Sequence, residues 1–405
     1  MKRAAVGMAV AAGALVTGNA AWATNGMLPH CTGIINCGMG GAGIAMATDA
    51  TNLAINPALV GKLKDNELSV SMGWFHPDRS MYPAGGQMAN KTTGPQDSQV
   101  TDYPDGSLAG NYRINPEWAV GVALFSAGGG ETKYDKSRTG NLGNGNNNNF
   151  DREVRIRMGN MAIGGAYTPN QDFSLGGSVI LAYQDFKSDM MTGSQAVTSG
   201  KDALDTSFGW GVRIGATYDF DPKVSIGITG STPIYYQRLD KYRDLFIGSI
   251  DQPGQMGIGT ALHPTSDLDV LFDMKYVMWH TVRAIGREPS DGGFGWKNQT
   301  IFSLGAQYRI DPTWTVRAGW NYGRSPIDEQ HVFANLLFPA VVEHHVTAGA
   351  SYAINERWEI SGAGYYAPRV GMTDNGSGDS YSAAGRNSSV EMSQYGAQMG
   401  LRWKF

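Results

Sequence analysis

The chain alternates between apolar and polar residues over unusually long stretches. In its last segment Tyr395, Ala397, Met399, Leu401, Trp403 and Phe405 share one parity, while Gln394, Gly396, Gln398, Gly400, Arg402 and Lys404 take the other. Phe208, Trp210, Val212, Ile214, Ala216 and Tyr218 alternate in the same way with Ser207, Gly209, Gly211, Arg213, Gly215 and Thr217. So do Trp314, Val316, Ala318, Trp320 and Tyr322 with Thr313, Thr315, Arg317, Gly319 and Asn321. A period of two puts successive side chains on opposite faces of a strand. A soluble sandwich would alternate too, but its strands usually have five or six residues, and these runs extend over about 10 to 16. Their apolar faces also end in Trp, Tyr or Phe. Aromatic girdles bounding an apolar band mark a transmembrane β-barrel.

Short turns divide the alternating runs. They are Ile114-Asn115-Pro116-Glu117, Thr168-Pro169-Asn170-Gln171, Phe220-Asp221-Pro222-Lys223, His263-Pro264-Thr265-Ser266, Ile310-Asp311-Pro312-Thr313 and Ile354-Asn355-Glu356-Arg357. Pro presets φ in such turns and an Asx side chain bonds the local backbone. Six turns separate seven hairpins, so the sequence predicts an all-β, 14-stranded antiparallel barrel, from a first strand near residues 67–75 to Phe405. The even number suits a bacterial barrel, and closure removes sheet edges that lipid cannot satisfy. The opposite ends are expected to be joined by longer polar extracellular loops, such as residues 128–150, with Asn146 to Asn149, and residues 373–387.

Composition changes this picture at the N-terminus. Lys2 and Arg3, an apolar run and Ala21-Trp22-Ala23 read as a secretory signal peptide over residues 1–23. Charged residues make up 17%, net charge is −4 and mean hydropathy is −0.28. Those values exclude a polytopic helical membrane protein, which needs several apolar runs of about 20 residues. They offer no basis for nucleic-acid binding. In an exported chain, the neighbouring Cys31 and Cys37 are expected to pair. Residues 24–64 do not alternate. They carry a glycine-rich stretch from Gly38 to Gly43, then Asn56-Pro57-Ala58. A barrel of this size is wider than its side chains can fill, so a plug inside the lumen is expected ahead of the barrel at residues 65–405.

Thr24-Asn25-Gly26, the glycine-rich stretch ending in Asp49-Ala50, and Asn56-Pro57-Ala58 resemble the N-terminal hatch of the FadL/TodX family of outer-membrane transporters for long-chain fatty acids and other hydrophobic compounds. The resemblance continues through Glu117-Trp118-Ala119-Val120-Gly121-Val122 in the expected third strand and through Pro253 to Gly259 in the eighth. It extends to Phe338-Pro339 through His345, Gly349 and Ser351-Tyr352 around the twelfth. The cysteine pair departs from the family's usual pattern. The resemblance implies passive uptake of a hydrophobic small molecule across the outer membrane of a Gram-negative bacterium. It also implies a lateral exit at a kink in the third strand, residues 118–127, for which Gly121, Gly128, Gly129 and Gly130 are the candidates. Candidate hatch and gating residues are Asn25, Gly26, Gly38, Gly40, Gly43, Asn56, Pro57 and Ala58. Outer-membrane lipid and lipopolysaccharide are expected around a monomer. The C-terminal strand ending in Phe405 is expected to engage the barrel-assembly machinery.

Apolar residues out of pattern mark two loops. Tyr235, Tyr236, Leu245, Phe246 and Ile247 follow the seventh strand, and Phe333, Leu336, Leu337 and Phe338 precede the twelfth. They are candidates for capturing substrate. Alternation assigns Arg155, Arg157, Arg213, Arg309, Arg317, Arg402 and Lys404 to the lumen, opposite Asp219, Asp267, Asp269, Asp273, Glu343 and Glu359. Arg157 and Arg317 are the candidates for a substrate carboxylate, which guanidinium binds bidentately. No enzymatic set is found. Gly38-x-Gly40-x-x-Gly43 lacks the βαβ setting of a dinucleotide site. His344 and His345 fall on opposite faces of a strand, so they do not form a metal pair. Asp374 to Asp379 reads as a polar loop, with Ca²⁺ as the alternative. No cofactor is expected. The rival functions are a barrel-anchored surface adhesin and a diffusion porin for polar solutes.

Overall fold

The computed structural model describes residues 25–84, 94–135, 152–188, 191–192, 195–196, 204–243 and 245–405. The signal-peptide segment and the Asn146 to Asn149 run lie outside these residues. Fourteen long strands form one antiparallel sheet: β1 (Glu67–Tyr82), β2 (Tyr103–Arg113), β3 (Trp118–Tyr134), β4 (Arg152–Tyr167), β5 (Phe173–Ser188), β6 (Asp205–Asp221), β7 (Val224–Ser231), β8 (Gln255–Leu262), β9 (Leu268–Val277), β10 (Gln299–Arg309), β11 (Trp314–Gly323), β12 (His344–Ala353), β13 (Trp358–Thr373) and β14 (Ser389–Lys404). Neighbours in space are neighbours in sequence, and β14 returns to β1 in register from Glu67↔Lys404 to Tyr82↔Ser389, so the barrel closes.

The turn chemistry sets the hairpins. The Asn115 carboxamide oxygen accepts from the Glu117 and Trp118 amides, and Asn170, Asp311 and Asn355 repeat the arrangement in their own turns. Asp221 accepts from the Lys223 amide, and the Thr265 hydroxyl serves the remaining turn. Above these turns the outward positions carry the lipid band. Trp118 against Tyr167, Trp314 against Tyr352 and Trp358 against Trp403 girdle its turn side. Trp74 against Tyr395 and Tyr183 against Phe208 girdle the other. Residues 128–134, expected to open a loop, instead continue β3. Gly128, Gly129 and Gly130 pair with Met158, Arg157 and Ile156 of β4 across a register shift between Ser126 and Gly128.

Residues 25–64 add no strand to the sheet. They form a short helix (Ile34–Cys37) and two 3₁₀ turns (Ala50–Ala54 and Pro57–Gly61), started by Asp49 and Asn56, whose side chains accept from the Thr51 and Ala58 amides. The segment packs on inward-facing positions of the wall. The Asp273 carboxylate accepts the Gly43 and Ile44 amides at 2.8 and 3.0 Å. The Gly40 amide donates to Thr347 Oγ1 at 2.9 Å, Ser174 Oγ to the Ala58 carbonyl at 2.8 Å, and Arg402 to the Thr48 carbonyl at 2.7 Å. Small inward residues make room for it. Ala109, Ala119, Ala123, Ala162 and Ala166 meet Ala50, Leu53 and Val60 in one buried cluster. A Cβ at Gly40 would stand 2.7 Å from the Trp320 backbone, so only glycine allows this approach.

At the far end from the turns the apolar side of the wall changes face. On β4, Met161 and Ile163 point outward in the lipid band, yet Val154, Ile156 and Met158 nearer the rim are buried inward. The outward rim positions go to Glu153, Arg155 and Arg157. The lumen assignment of Arg155 and Arg157 is therefore corrected. Alternation persists without a break, but toward the rim the inside holds the apolar loops, so the charged residues take the outward positions, where they pair with one another and are largely covered. The loop between β7 and β8, that between β9 and β10 and that between β11 and β12 fill this end with one large apolar cluster.

Two of those loops are clamped by His331, whose side chain is buried. Its Nδ1 lies 2.5 Å from Asp328 and its Nε2 lies 2.7 Å from Glu288 of the neighbouring loop. Burial pulls the His331 pKa down, but its bonds to Asp328 and Glu288 outweigh that and hold it above the usual 6.5. A raised folded-state value means the clamp is complete below about pH 6.5 and is lost as pH rises through the folded value. The protection factors of residues 285–296, exchange corrected for its intrinsic rise with pH, should accordingly fall between about pH 6 and pH 9, and His331→Gln should remove that fall. An unchanged profile in the variant would exclude the clamp.

Candidate functional site

The rim cluster surrounds an apolar cleft whose free volume is about 10 Å³, so its own side chains nearly fill it. Its walls come from five places in the chain: Met27 from the N-terminal segment, Ile156 of β4 with Phe186 of β5, Phe246 and Ile250, then Ile285, Phe294 and Trp296, and finally Phe338. A succession of rings links them, with centroids 5.1 Å apart for Phe186–Phe246, 6.2 Å for Phe246–Phe294 and 6.3 Å for Phe294–Phe338. Such edge-on and tilted pairs fix ring positions beyond simple burial. The Trp296 indole donates to Asn335 at 2.7 Å, so its polar atom is satisfied without reaching the pocket. The lining is wholly apolar, and a small hydrophobic ligand would enter it only as these rings part.

The pocket adjoins the bulge in β3. Gly128 and Gly129 take φ of 139° and 137°, a conformation open to glycine and rarely to other residues. The Gly129 amide donates to the Met27 carbonyl at 2.9 Å, tying the tip of the N-terminal segment to the wall. A Cβ on Gly130 would meet the Phe338 ring at 3.2 Å. The ladder between β2 and β3 begins at Arg113↔Ala119 and ends at Ser107↔Phe125, although β2 continues along β1 to Phe75↔Tyr103. Beyond Phe125 the two strands are bridged by side-chain contact, with the Tyr103 hydroxyl donating to the Glu131 carbonyl at 3.1 Å. Gly121 lies below this break in continuous pairing with Asn111 and Gly164.

The remaining candidates are distributed unevenly. Phe246 and Phe338 line the pocket, Leu245 packs against the same cluster, and Leu336 and Leu337 are buried in it. Ile247 lies against Gly292 and Phe333 against Gly385. Tyr236 is buried lower down, its hydroxyl accepting from Gln252, while Tyr235 faces outward near Trp210. Arg157 points out of the barrel and donates to Asp185. Arg317 lies under Gly38, its Nη1 donating to Ser351 at 2.6 Å and its Nε to Gln307 at 2.7 Å.

At the N-terminus the Asn25 amide bonds the Leu28 carbonyl, and Gly26 fits against the Trp279 ring. Asn56 donates to the Ile44 carbonyl, and Pro57 and Ala58 abut Gly176 of β5. A disulfide links Cys31 to Cys37 in this segment. His30 beside it stacks on His345 at 4.8 Å and meets Tyr365 edge-on, and burial holds its imidazole well below the usual pKa, in the neutral form. The side chains of Asp374 accept from Ser382, Gly376 and Phe333, tying two loops together. Among the described residues no cluster of three or more His, Cys, Asp or Glu is placed to hold a metal.

Sequence reasoning missed Trp279, Ile285, Phe294 and Trp296, in the loop between β9 and β10. Their signal was present: four large apolar residues fall outside any alternating run, as in the two loops that were identified.

Comparisons with known proteins agree with this architecture. The profile of the family described as "Outer membrane protein transport protein (OMPP1/FadL/TodX)" matches residues 13–404. The long-chain fatty acid transport protein of Escherichia coli O6:H1 is 22% identical over 396 residues, covering 84% of this chain and 86% of that protein. Outer membrane protein P1 of Haemophilus influenzae is 21% identical over 369 residues, covering 76% and 78%. The crystal structure of the Pseudomonas putida toluene transporter TodX superposes with a TM-score of 0.73 at 18% identity, over 93% of this chain and 99% of that one, and so shares the fold. On the family match over nearly its whole length, the chain belongs to the OMPP1/FadL/TodX family of Gram-negative outer-membrane transport proteins.

Proposed function

We propose that the protein is a channel for passive uptake of hydrophobic small molecules, long-chain fatty acids or hydrocarbons, across the outer membrane. The ligand is captured by the rim loops and held between Phe246, Phe294, Trp296 and Phe338, whose rings part to admit it. It leaves sideways through the wall between β2 and β3. The observation that carries this reading is the hydrogen bond from Gly129 to the Met27 carbonyl, because Met27 both lines the pocket and contacts the bulge. Residues 24–64 act as the hatch: parting of that contact joins the pocket to the gap beyond Ser107↔Phe125. The names of relatives, a long-chain fatty acid transport protein and a toluene transporter, support the hydrophobic class. The charge of Arg157 lies outside the barrel, and Arg317 already serves Ser351 and Gln307, so neither enters the capture step.

Gly130 tests the exit. Gly130→Phe fills the space beside Phe338 and should lower uptake of a hydrophobic probe about tenfold with the barrel folded. Gly159→Ala, whose new Cβ meets nothing within 4 Å, should leave uptake unchanged. Normal uptake in folded Gly130→Phe would reject exit at this point. Asp273 tests the hatch. Asp273→Ala removes the acceptor of the Gly43 and Ile44 amides and should cost the segment about 2 kcal/mol of local stability. Planar-bilayer conductance should then rise above the low level expected of the wild type. A large steady conductance in the wild type would favour a polar-solute porin, and cell adhesion without any uptake phenotype would favour an adhesin.

A further inference from the structure

One imidazole is buried where the inner segment meets the wall, and the transport reading does not use it. His30 directly precedes the loop that the Cys31–Cys37 disulfide closes, and its side chain is fully buried. The His345 ring of β12 stacks on it at 4.8 Å and 6°, and the Tyr365 ring of β13 meets it edge-on at 4.4 Å. His345 Nε2 is in turn 2.7 Å from Gln394 Nε2 of β14. The glycine-rich stretch packs on the same residue, since a Cβ at Gly41 would collide with the His30 carbonyl. His30 therefore does not leave its place without shifting both the disulfide loop and the stretch whose Gly43 and Ile44 amides bond Asp273.

The ring is held without polar partners. Neither nitrogen of His30 makes a hydrogen bond among the described residues. A neutral imidazole buried in this way forgoes one donor and one acceptor bond, whereas a charged one would forgo two donor bonds and its hydration, at a far larger cost. The titratable neighbours do not offset that cost. Lys275 of β9, whose Nζ lies 3.4 Å from the Gly41 carbonyl, and His345 both oppose a proton on His30. Tyr365 presents an uncharged ring. Two carboxyl groups on the neighbouring wall are engaged elsewhere, Asp273 with the two hatch amides and Asp105 of β2 with Gln398.

We propose that His30 is a proton-operated latch: residues 25–44 close against the wall around the neutral imidazole, and mild acid releases them. In an opened segment His30 meets water and regains its ordinary pKa near 6.5. The closed form binds no proton there and the open form takes one up. Burial holds the closed-state value below the ordinary one, so this stability is present above about pH 6.5 and is lost as pH falls below it. One histidine released in this way raises the ratio of open to closed about thirtyfold between pH 7.5 and pH 5. The sense is opposite to that of the His331 clamp, so acid loosens the inner segment while it tightens the rim loops. The inference rests on the packing of residues 25–44 and not on the transport reading, and its test needs no ligand.

Hydrogen exchange of the whole protein in detergent, expressed as protection factors to remove the intrinsic pH dependence, tests it. In the wild type the factors of residues 31–44 should fall about thirtyfold from pH 7.5 to pH 5, while those of the β1–β14 ladder hold. His30→Phe keeps a ring to stack on His345 but does not titrate, and His30→Leu does the same without the ring. Either variant, folded, should lose the fall. Flat protection of residues 31–44 in the wild type overturns the proposal without recourse to a variant. An undiminished fall in a folded variant, or an equal fall in the β1–β14 ladder, would overturn it as well, the first by assigning the proton to another group and the second by showing general acid unfolding.

Discussion

Lipid offers no partner for a backbone amide or carbonyl, and the whole architecture follows from that constraint. Fourteen strands satisfy one another around a ring, with β14 returning to β1 along its full length. A ring of this size leaves a bore that strand side chains do not fill. Residues 25–64 pack against its inward face, and they bring polar backbone with them, which that face must satisfy in turn. Asp273, Thr347, Ser174 and Arg402 do this from separate strands. Where the wall's own ladder lapses, between β2 and β3 above Phe125, the Gly129 amide finds its acceptor on Met27. The place where the barrel's own ladder lapses is thus the place where the inner segment touches it, and the packed apolar rim cluster lies beside that contact.

Much of this was legible in the sequence because the bilayer imposes a strict period. Each of the six turns named from Asn, Asp, Thr and Pro is a hairpin in the structure, and the strand count follows from them. The faces of the last strand and of β6 and β11 follow the written alternation residue by residue, with Met399, Phe208 and Trp314 on the exposed side. What alternation could not supply was the environment on each face. At Arg155 and Arg157 the period is unbroken, but the apolar side of the wall has changed from outside to inside, where Val154, Ile156 and Met158 meet the rim loops, so reading charge as lumen-facing gives the wrong side. Periodicity reports parity, and only depth in the membrane says which parity is apolar.

The site was legible in part, for a different reason. Phe246 and Phe338 drew notice as greasy residues in loops, and both line the pocket. The contacts that make a pocket of them lie far apart in the chain: Met27, Ile156, Phe294 and Phe338 meet only once the barrel has closed. The bulge had a local sign in three successive glycines, but Gly121, equally a glycine of the third strand, lies in continuous pairing. What distinguishes them is the end of the β2 ladder, a property of two strands together.

The account's central claim is that ligand passes from the rim pocket through the β2–β3 gap and does not cross the lumen to the turn side. Photolabelling with a diazirine-bearing hydrophobic ligand, mapped residue by residue in membranes, tests this most directly. Labels should fall on Phe246, Trp296 and Phe338 and on the gap residues 103–106 and 126–130. Labels instead on the turn-side vestibule lined by Met46, Leu59, Lys62, Asp219 and Arg309 would mean that ligand traverses the barrel past residues 25–64, and would contradict lateral exit.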